Sequence, residues 1–168
     1  MLKLSFSENT NLLKKRSSCL KFLREKQVSV GLTSTASARS RFLLAVHTHG
    51  SPLMRIPPRP VVQPVLQKEE TRAAMAEHML KACAAALDGD LKGTREGLEE
   101  AGRAGADGIR AYIDSGIPPP NAPVTLTGGW IYNRVAKKGV PVKGKSGDIP
   151  LKDTGQLYED FDWEIGER

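Results

Sequence analysis

The chain has 168 residues, enough for one domain with a sizeable core and too few for two independent domains of ordinary size. Aromatic residues make up 5% of it, whereas glycine and proline number 16 and 11, so we expect an aliphatic core and many turns. The net charge of +6 is unevenly placed, with basic stretches at 1–60 and 124–152 and an acidic stretch at the end of the chain. This asymmetry favours a polyanionic partner or contacts between copies of the chain, and ordinary solvated surfaces are the alternative.

Composition also bears on redox state and on membranes. Cys19 and Cys83 belong to no metal-binding or disulfide motif, which fits a reducing cytoplasm. The longest uncharged apolar stretch, 42–54, contains two histidines and a proline and is too short to cross a bilayer. The first residues lack the apolar segment of a secretory signal, although their basic, serine-containing composition also fits an organelle transit peptide. No membrane partner is predicted.

An amphipathic helix is predicted for residues 1–26, as a segment apart from a single α+β domain at 27–168. Asn9 or Thr10 can cap this helix, which we expect to run to about Glu25. Its apolar residues recur at helical spacing, and lysines and arginines occupy the other face. The apolar residues are Leu12, Leu13, Cys19, Leu20 and Leu23.

The next segments predict a strand and then a short buried element. Polar and apolar residues alternate over 27–32, which places Val28, Val30 and Leu32 on one face of a strand. Residues 41–46 are expected to form a short helix or strand, which the turn at 47–52 ends.

A long αα-hairpin is predicted after a stiff proline connector at 56–60. The first helix follows Pro64 and stops at Gly89, and a second helix follows Thr94. Small residues in the second helix, especially Ala101, Gly105 and Gly108, are expected to let another backbone approach closely. The apolar residues at helical spacing are Ala73, Ala76, Leu80, Cys83 and Leu87 in the first helix, and Leu98, Ala101, Gly105, Ile109 and Tyr112 in the second.

The last third predicts a long loop and a closing strand. Prolines end the second helix, and residues 117–152 are rich in Gly, Lys and Pro, so we expect a long exposed loop or a loose hairpin. Phe161, Trp163 and Ile165 alternate with polar residues, which predicts a half-buried strand that pairs with the strand at 28–32. The predicted fold is therefore α+β, a small antiparallel sheet on two or three helices with extended loops.

One motif suggests nucleotide chemistry. Residues 139–146 fit the pattern of a phosphate-binding loop, with Gly139, Gly144, Lys145 and Ser146 at the required positions. That loop needs a strand before it and a helix after it, whereas Pro141 lies inside the motif and Gly-Asp-Ile-Pro follows it. We therefore interpret these residues as a flexible basic loop.

Candidate ligands and catalytic groups are few. His47 and His49 would share one face of a strand, but a third metal ligand is not identifiable, so we favour structural histidines in a turn. Nucleophile motifs and carboxylate pairs in apolar settings are also not recognisable. The sequence thus predicts a protein that is not an enzyme, with no cofactor and no metal.

Three segments together resemble a known family. They are HTHGSPLMRIPPRP before the first long helix, IDSGIPPPNAP after the hairpin, and IPLKDTGQL before the last strand. Their order resembles the tail completion and head-to-tail joining proteins of long-tailed bacteriophages, the family of the lambda-type minor tail protein Z. The resemblance covers residues 27–168 in patches, and the stretch between Pro123 and Pro150 is longer than the family leads us to expect.

The resemblance implies a structural virion protein, assembled in the host bacterial cytoplasm, that completes the tail and joins it to the head. It implies a ring, sixfold by analogy, between the tail terminator or tube protein and the head-side connector, with packaged DNA passing through. Residues carried over as a subunit or neck interface are Arg55, Ile56, Pro57, Pro58, Arg59, Pro60, Pro119, Pro120, Asn121, Ala122, Pro123, Asp153, Thr154, Gly155, Gln156 and Leu157.

The basic loop has two candidate partners. It can meet the acidic end of a neighbouring copy, or it can meet DNA phosphates without sequence preference. An alternative function is therefore a small nucleic-acid-binding protein without sequence specificity, although we recognise no aromatic interleaving for base stacking and no recognition helix. The residues concerned are Arg134, Lys137, Lys138, Lys143 and Lys145.

Overall fold

The computed structural model describes residues 6–53, 55–134, 136–145 and 147–168, with side chains from residue 10 onward. The described residues have the predicted α+β fold, with two small antiparallel sheets and a long helical hairpin. The elements are α1 (Phe6–Glu25), β1 (Lys26–Leu32), α2 (Ala38–His49), α3 (Val62–Gln67), α4 (Glu69–Asp88), α5 (Leu91–Asp114), α6 (Pro123–Thr127), β2 (Gly129–Asn133), β3 (Lys138–Val142), α7 (Gln156–Glu159) and β4 (Phe161–Glu167).

Strands β1 and β4 pair antiparallel, as predicted. Val30 lies opposite Trp163, and Leu32 lies opposite Phe161, so the apolar positions of the two strands share one face. This face packs on α5 at two glycines. A Cβ on Gly102 would lie 2.7 Å from Cγ of Trp163, so the absence of a side chain there lets the indole lie against the helix.

Helices α4 and α5 form the predicted hairpin, and Gly89 ends α4 in the left-handed conformation. The predicted buried stripe of α5 is confirmed except at Tyr112, which is half-buried. The closest backbone approach is at Gly97, however, where a Cβ would lie 2.7 Å from the backbone nitrogen of Ala82. Gly105 and Gly108 contact side chains instead.

The apolar spacing in α4 does not mark its buried face. Leu80 is 70% exposed and Leu87 is 58% exposed, whereas Ala82 and Ala86 are fully buried. The close approach at Gly97 explains this orientation, because only small side chains fit between helices so near to each other. The outward residues form a surface that we call the α4 stripe: Ala73, Ala76, Leu80, Cys83 and Leu87.

Two boundaries near the start of the chain also differ from expectation. α1 begins at Phe6, before the predicted caps, and Leu13 and Leu20 of its apolar set are exposed, whereas Cys19 is buried. Residues 41–46 lie within α2, whose first turn is capped by the Ser37 hydroxyl, so the strand alternative is wrong. α1 packs on α4, α5 and β1.

The core lies between α3, the C-terminal half of α5 and the closing strand. Ile109 and Ile113 of α5 contact Val65 of α3 and Phe161 of β4, all fully buried. Leu157 of α7 completes this cluster, so the loop that precedes β4 is fixed to the core.

Candidate functional site

Arg59 joins two of the proline-rich segments that the sequence analysis singled out. Its side chain is 5% exposed, and its Nε and one Nη donate hydrogen bonds to the carbonyl oxygens of Pro119 and Pro120 at 2.8 and 2.9 Å. Its backbone N–H donates to the carbonyl of His47, at the end of α2. The guanidinium therefore holds 55–60 against 119–122, and we call the resulting surface the proline surface.

A cleft of about 500 Å³ opens on the proline surface. Residues 49–52 and 55–59 line one part of it, and residues 119, 120 and 122 line another. Two backbone hydrogen bonds join Ser51 and Ile56 at 2.8 and 2.9 Å. The surface therefore combines hydrogen-bonded backbone with exposed prolines.

The third segment, 153–157, lies across a second cavity from His47 and Asn121. This cavity has a volume of about 310 Å³. Asn121 donates a 2.6 Å hydrogen bond to the carbonyl of Asp148. This contact links the second segment to the residues that precede the third. The structure thus brings all three segments together.

Contacts at the end of α5 fix the third segment. Asp114 accepts hydrogen bonds from Lys152 at 2.8 Å and from the Tyr158 hydroxyl at 2.7 Å. These two hydrogen bonds lower the pKa of the Asp114 carboxyl from its ordinary value. The carboxylate is therefore charged at neutral pH and secures both sides of the turn at Gly155.

The predicted interface residues fall into three classes of exposure. Arg59 and Leu157 are buried, so they position the surface and do not present a side chain on it. Ile56, Pro57, Asn121 and Gly155 are half-buried. The others are exposed: Arg55, Pro58, Pro60, Pro119, Pro120, Ala122, Pro123, Asp153, Thr154 and Gln156.

His47 lies between the proline surface and the second cavity. Burial lowers the pKa of its imidazole, and the nearby cations Arg59 and Lys145 lower it further. Its Nδ1 is buried and has no hydrogen-bond partner among the described residues. A proton on His47 would therefore add a charge beside two existing cations, so the neutral form is favoured.

The residues of the phosphate-loop motif have structural roles in the described part of the chain. Gly139 lies within β3, and a Cβ on Gly144 would lie 2.5 Å from the carbonyl oxygen of Leu126. The ammonium of Lys145 donates to the carbonyls of Ile149 and Lys152 at 2.5 and 3.4 Å. Ser146 lies outside the described residues, and the next described helix is α7.

The predicted loose hairpin is formed by β2 and β3, and it carries the exposed cations. Arg134, Lys137, Lys138 and Lys143 are exposed, whereas Lys145 is half-buried at the base of the hairpin. Burial lowers the pKa of Lys145, against the opposing effects of Asp153 and Asp148. Lys145 therefore differs from the other four candidate contacts, because its side chain is half-buried and theirs are exposed.

Sequence reasoning missed two exposed aromatic residues on the same hairpin. Trp130 is 73% exposed and Tyr132 is 65% exposed. They are two residues apart on β2 and therefore lie on one face. The spacing of the two aromatic residues in GGWIYN was the available signal, which the prediction of a long exposed loop or a loose hairpin did not use.

Three of the six acidic residues in the last sixteen positions are engaged within the molecule. Glu164 accepts from the backbone N–H and the hydroxyl of Ser34 at 3.0 and 2.8 Å, and Asp160 accepts from the backbone N–H of Ser37. Glu167 pairs with Lys26 across the sheet. Asp153, Glu159 and Asp162 are exposed, and Glu167 stays exposed although it pairs with Lys26.

Among the described residues, no three His, Cys, Asp or Glu side chains lie close enough to hold a metal ion. No helix in the same part of the chain has the length and apolar character of a membrane span.

The chain was compared with protein-family models, with curated proteins and with solved structures. None of these comparisons found a match.

Proposed function

We propose that this chain is a structural virion protein that completes a bacteriophage tail and joins it to the head as part of a ring in the neck. The observation that carries the proposal is the convergence of the three resembling segments around Arg59 and His47. The segments are separated by about 60 and 30 residues, yet they form one continuous region of the fold. The resemblance therefore rests on a single surface and not on three scattered patches.

The chemistry of the proline surface supports a role in assembly. Prolines have few conformations to lose, so a contact through them has a small entropic cost. The buried fork of Arg59 holds them in place before any partner arrives. Such a surface suits a repeated contact in a particle better than a transient one.

A closed ring needs two different surfaces on each copy, since each subunit contacts the next head to tail. The α4 stripe supplies the second one. Its leucines face away from α5 and are exposed, and contiguous exposed apolar residues are typical of protein contacts. We propose that the α4 stripe of one copy and the proline surface of the next form the ring contact.

A contact between the basic loop and the acidic end of the next copy has less support than the contact through the α4 stripe. Asp160, Glu164 and Glu167 already have partners within their own chain. The proposed ring contact is therefore chiefly apolar, and its stability should depend only weakly on salt.

Two measurements test the proposal. The first is light scattering of the purified full chain over a concentration series, in which a ring gives a fixed multiple of the 18.3 kDa subunit mass. The second is electron microscopy of tails incubated with tagged chain, in which label is expected at the head-proximal end only. A chain that stays monomeric with tails present and is absent from mature particles would overturn the proposal.

A further inference from the structure

The β2–β3 hairpin combines two exposed aromatic rings on one face, those of Trp130 and Tyr132, with exposed cations along its strands and tip. Trp130 pairs with Pro141 and Tyr132 pairs with Gly139 across the hairpin. A Cβ on Gly139 would lie 3.3 Å from Cε3 of Trp130, so the glycine leaves room for the indole to lie across β3. One face of the Trp130 indole thus lies against the backbone of β3, while the other face stays open to solvent.

The charged residues within the hairpin sequence are all basic. The sequence has no Asp or Glu from Ser115 to Gly147. Within the described residues, no ion pair involves Arg134, Lys137, Lys138 or Lys143. The hairpin is therefore positive, although the exposed Asp153 lines the same cavity as Lys143, and the complement of a positive surface is a polyanion.

We infer that this hairpin binds a polynucleotide that contains unpaired bases. Phosphates are held by Arg134, Lys137 and Lys143, bases stack on Trp130 and Tyr132, and Lys138 adds positive charge on the opposite face of the hairpin. Exposed aromatic rings with cations beside them are the arrangement by which single strands are bound without sequence preference. Neither hydrogen-bonded base recognition nor a groove-reading helix is required.

A second copy of the chain is the competing occupant, and the observations favour it less. The acidic end would be its charge partner, but Glu164, Asp160 and Glu167 are engaged by Ser34, Ser37 and Lys26. The exposed aromatic rings can also stack on nucleobases, whereas the exposed acids of a second copy offer them no ring to stack on. The inference depends on the hairpin alone and is independent of the proposed ring.

Close backbone contacts fix the base of the hairpin, which we call the arm. Gly128 and Gly144 lie back to back, since a Cβ on Gly128 would be 2.9 Å from the backbone nitrogen of Gly144. The backbone N–H of Lys145 donates to the carbonyl of Thr125 at 3.0 Å. Lys145 therefore anchors the arm, and we do not count it among the phosphate contacts.

The test is fluorescence anisotropy of the full chain with a labelled 20-nucleotide oligo(dT) and with a 20-base-pair duplex, over a series of salt concentrations. We expect salt-dependent binding that favours the single strand. Trp130→Ala should raise the Kd for oligo(dT) about tenfold or more, since each stacked base contributes substantially. Arg134→Gln with Lys137→Gln should lower the slope of log K against log salt by about 1.4, the value for two single-strand contacts.

Controls come from exposed residues elsewhere. Phe42→Ala removes an exposed aromatic side chain from α2, and Lys14→Gln with Lys15→Gln removes two exposed cations from α1. Both should leave the Kd unchanged. Trp130→Phe keeps a ring and should retain binding, while it abolishes the quenching of tryptophan emission that oligo(dT) causes in the wild type. The other tryptophan, Trp163, is packed against Gly102 and serves as the internal reference.

Three outcomes would overturn the inference. They are no binding of either probe at low salt, an unchanged Kd for Trp130→Ala, and equal losses in the α1 and hairpin charge variants. A hairpin variant that self-associates less but binds oligo(dT) normally would assign the surface to a second copy. The first three results leave the proposed ring untouched, because the ring is tested by particle mass and location.

Discussion

The guanidinium of Arg59 donates a 2.8 Å hydrogen bond to the carbonyl oxygen of Pro119, 60 residues further along the chain. A proline has no N–H to pair, so the carbonyls of a proline run need donors from elsewhere in the fold. The forked donors of one arginine satisfy two of them at once. This contact gives the proline surface its shape.

Arg59→Met should lower the free energy of unfolding by about 2–3 kcal/mol, because it removes charge-assisted hydrogen bonds and leaves two carbonyls without their donor. Arg59→Lys keeps the charge without the fork and should give an intermediate loss. Urea denaturation measures both effects. Arg72→Met, at an exposed position of α4, is the matched control. Equal stability of Arg59→Met and the wild type would contradict the role given to Arg59.

Gly97→Ala tests the close packing of α4 on α5. Alanine favours a helix over glycine by about 1 kcal/mol. We nevertheless expect a net loss of about 2 kcal/mol or more, because the new methyl group would meet the backbone of Ala82 and force the helices apart. Thermal unfolding followed by circular dichroism measures the change.

Gly93→Ala is the control for Gly97→Ala, since the three nearest atoms to its methyl group are side-chain atoms, two of Asp90 and the Cβ of Ala85 at 3.1 Å, and none is backbone. We expect its stability to lie within about 1 kcal/mol of the wild type. A stabilised Gly97→Ala variant would show that the two helices do not meet as closely as described.

The lowered pKa of His47 predicts a pH-dependent stability. A histidine whose pKa is lowered by folding takes up its proton first in the unfolded state, so acid favours unfolding. The contribution is complete above the ordinary histidine pKa of about 6.5 and is lost as the pH falls towards the lower folded-state pKa. The free energy of unfolding should therefore decrease as the pH falls below about 6.5.

His47→Gln should remove that decrease, because glutamine does not titrate. His49→Gln changes the exposed histidine two residues away and should retain it. Urea denaturation at several pH values measures the slope. The account of His47 fails if its substitution leaves the pH slope unchanged.

The α4 stripe predicts variants that fold but do not assemble. Leu80→Glu and Leu87→Glu place carboxylates at exposed positions, so the melting temperature should change little. A carboxylate within an apolar contact has a large desolvation cost, so self-association should be lost. Light scattering measures the mass of each variant.

Phe42→Glu introduces the same charge at an exposed position of α2 and should leave assembly intact. If all three variants assemble like the wild type, the α4 stripe is not a subunit contact.

The sequence predicted those parts of the fold in which local pattern and packing agree. Val28, Val30 and Leu32 alternate with polar residues, as do Phe161, Trp163 and Ile165, and two such strands bury their apolar faces only when paired in this register. The turn at Gly89 was also predictable, since glycine is favoured in the left-handed conformation that ends a helix.

Other features depend on contacts that no local pattern contains. The orientation of α4 is set by the missing side chain of Gly97 on another helix, and this overrides the spacing of Leu80 and Leu87. The partners of Arg59 are carbonyl groups, which every residue carries, so sequence alone does not identify them. The second sheet escaped prediction in detail because β2 and β3 are rich in glycine and weakly alternating.

The most direct test of the proposed function is the deletion of the coding region from the phage proposed to encode the chain, followed by electron microscopy of the lysate. The account predicts DNA-filled heads and complete but separate tails, and joined infectious particles again when wild-type protein is supplied. Joined, infectious particles made without the protein would contradict it.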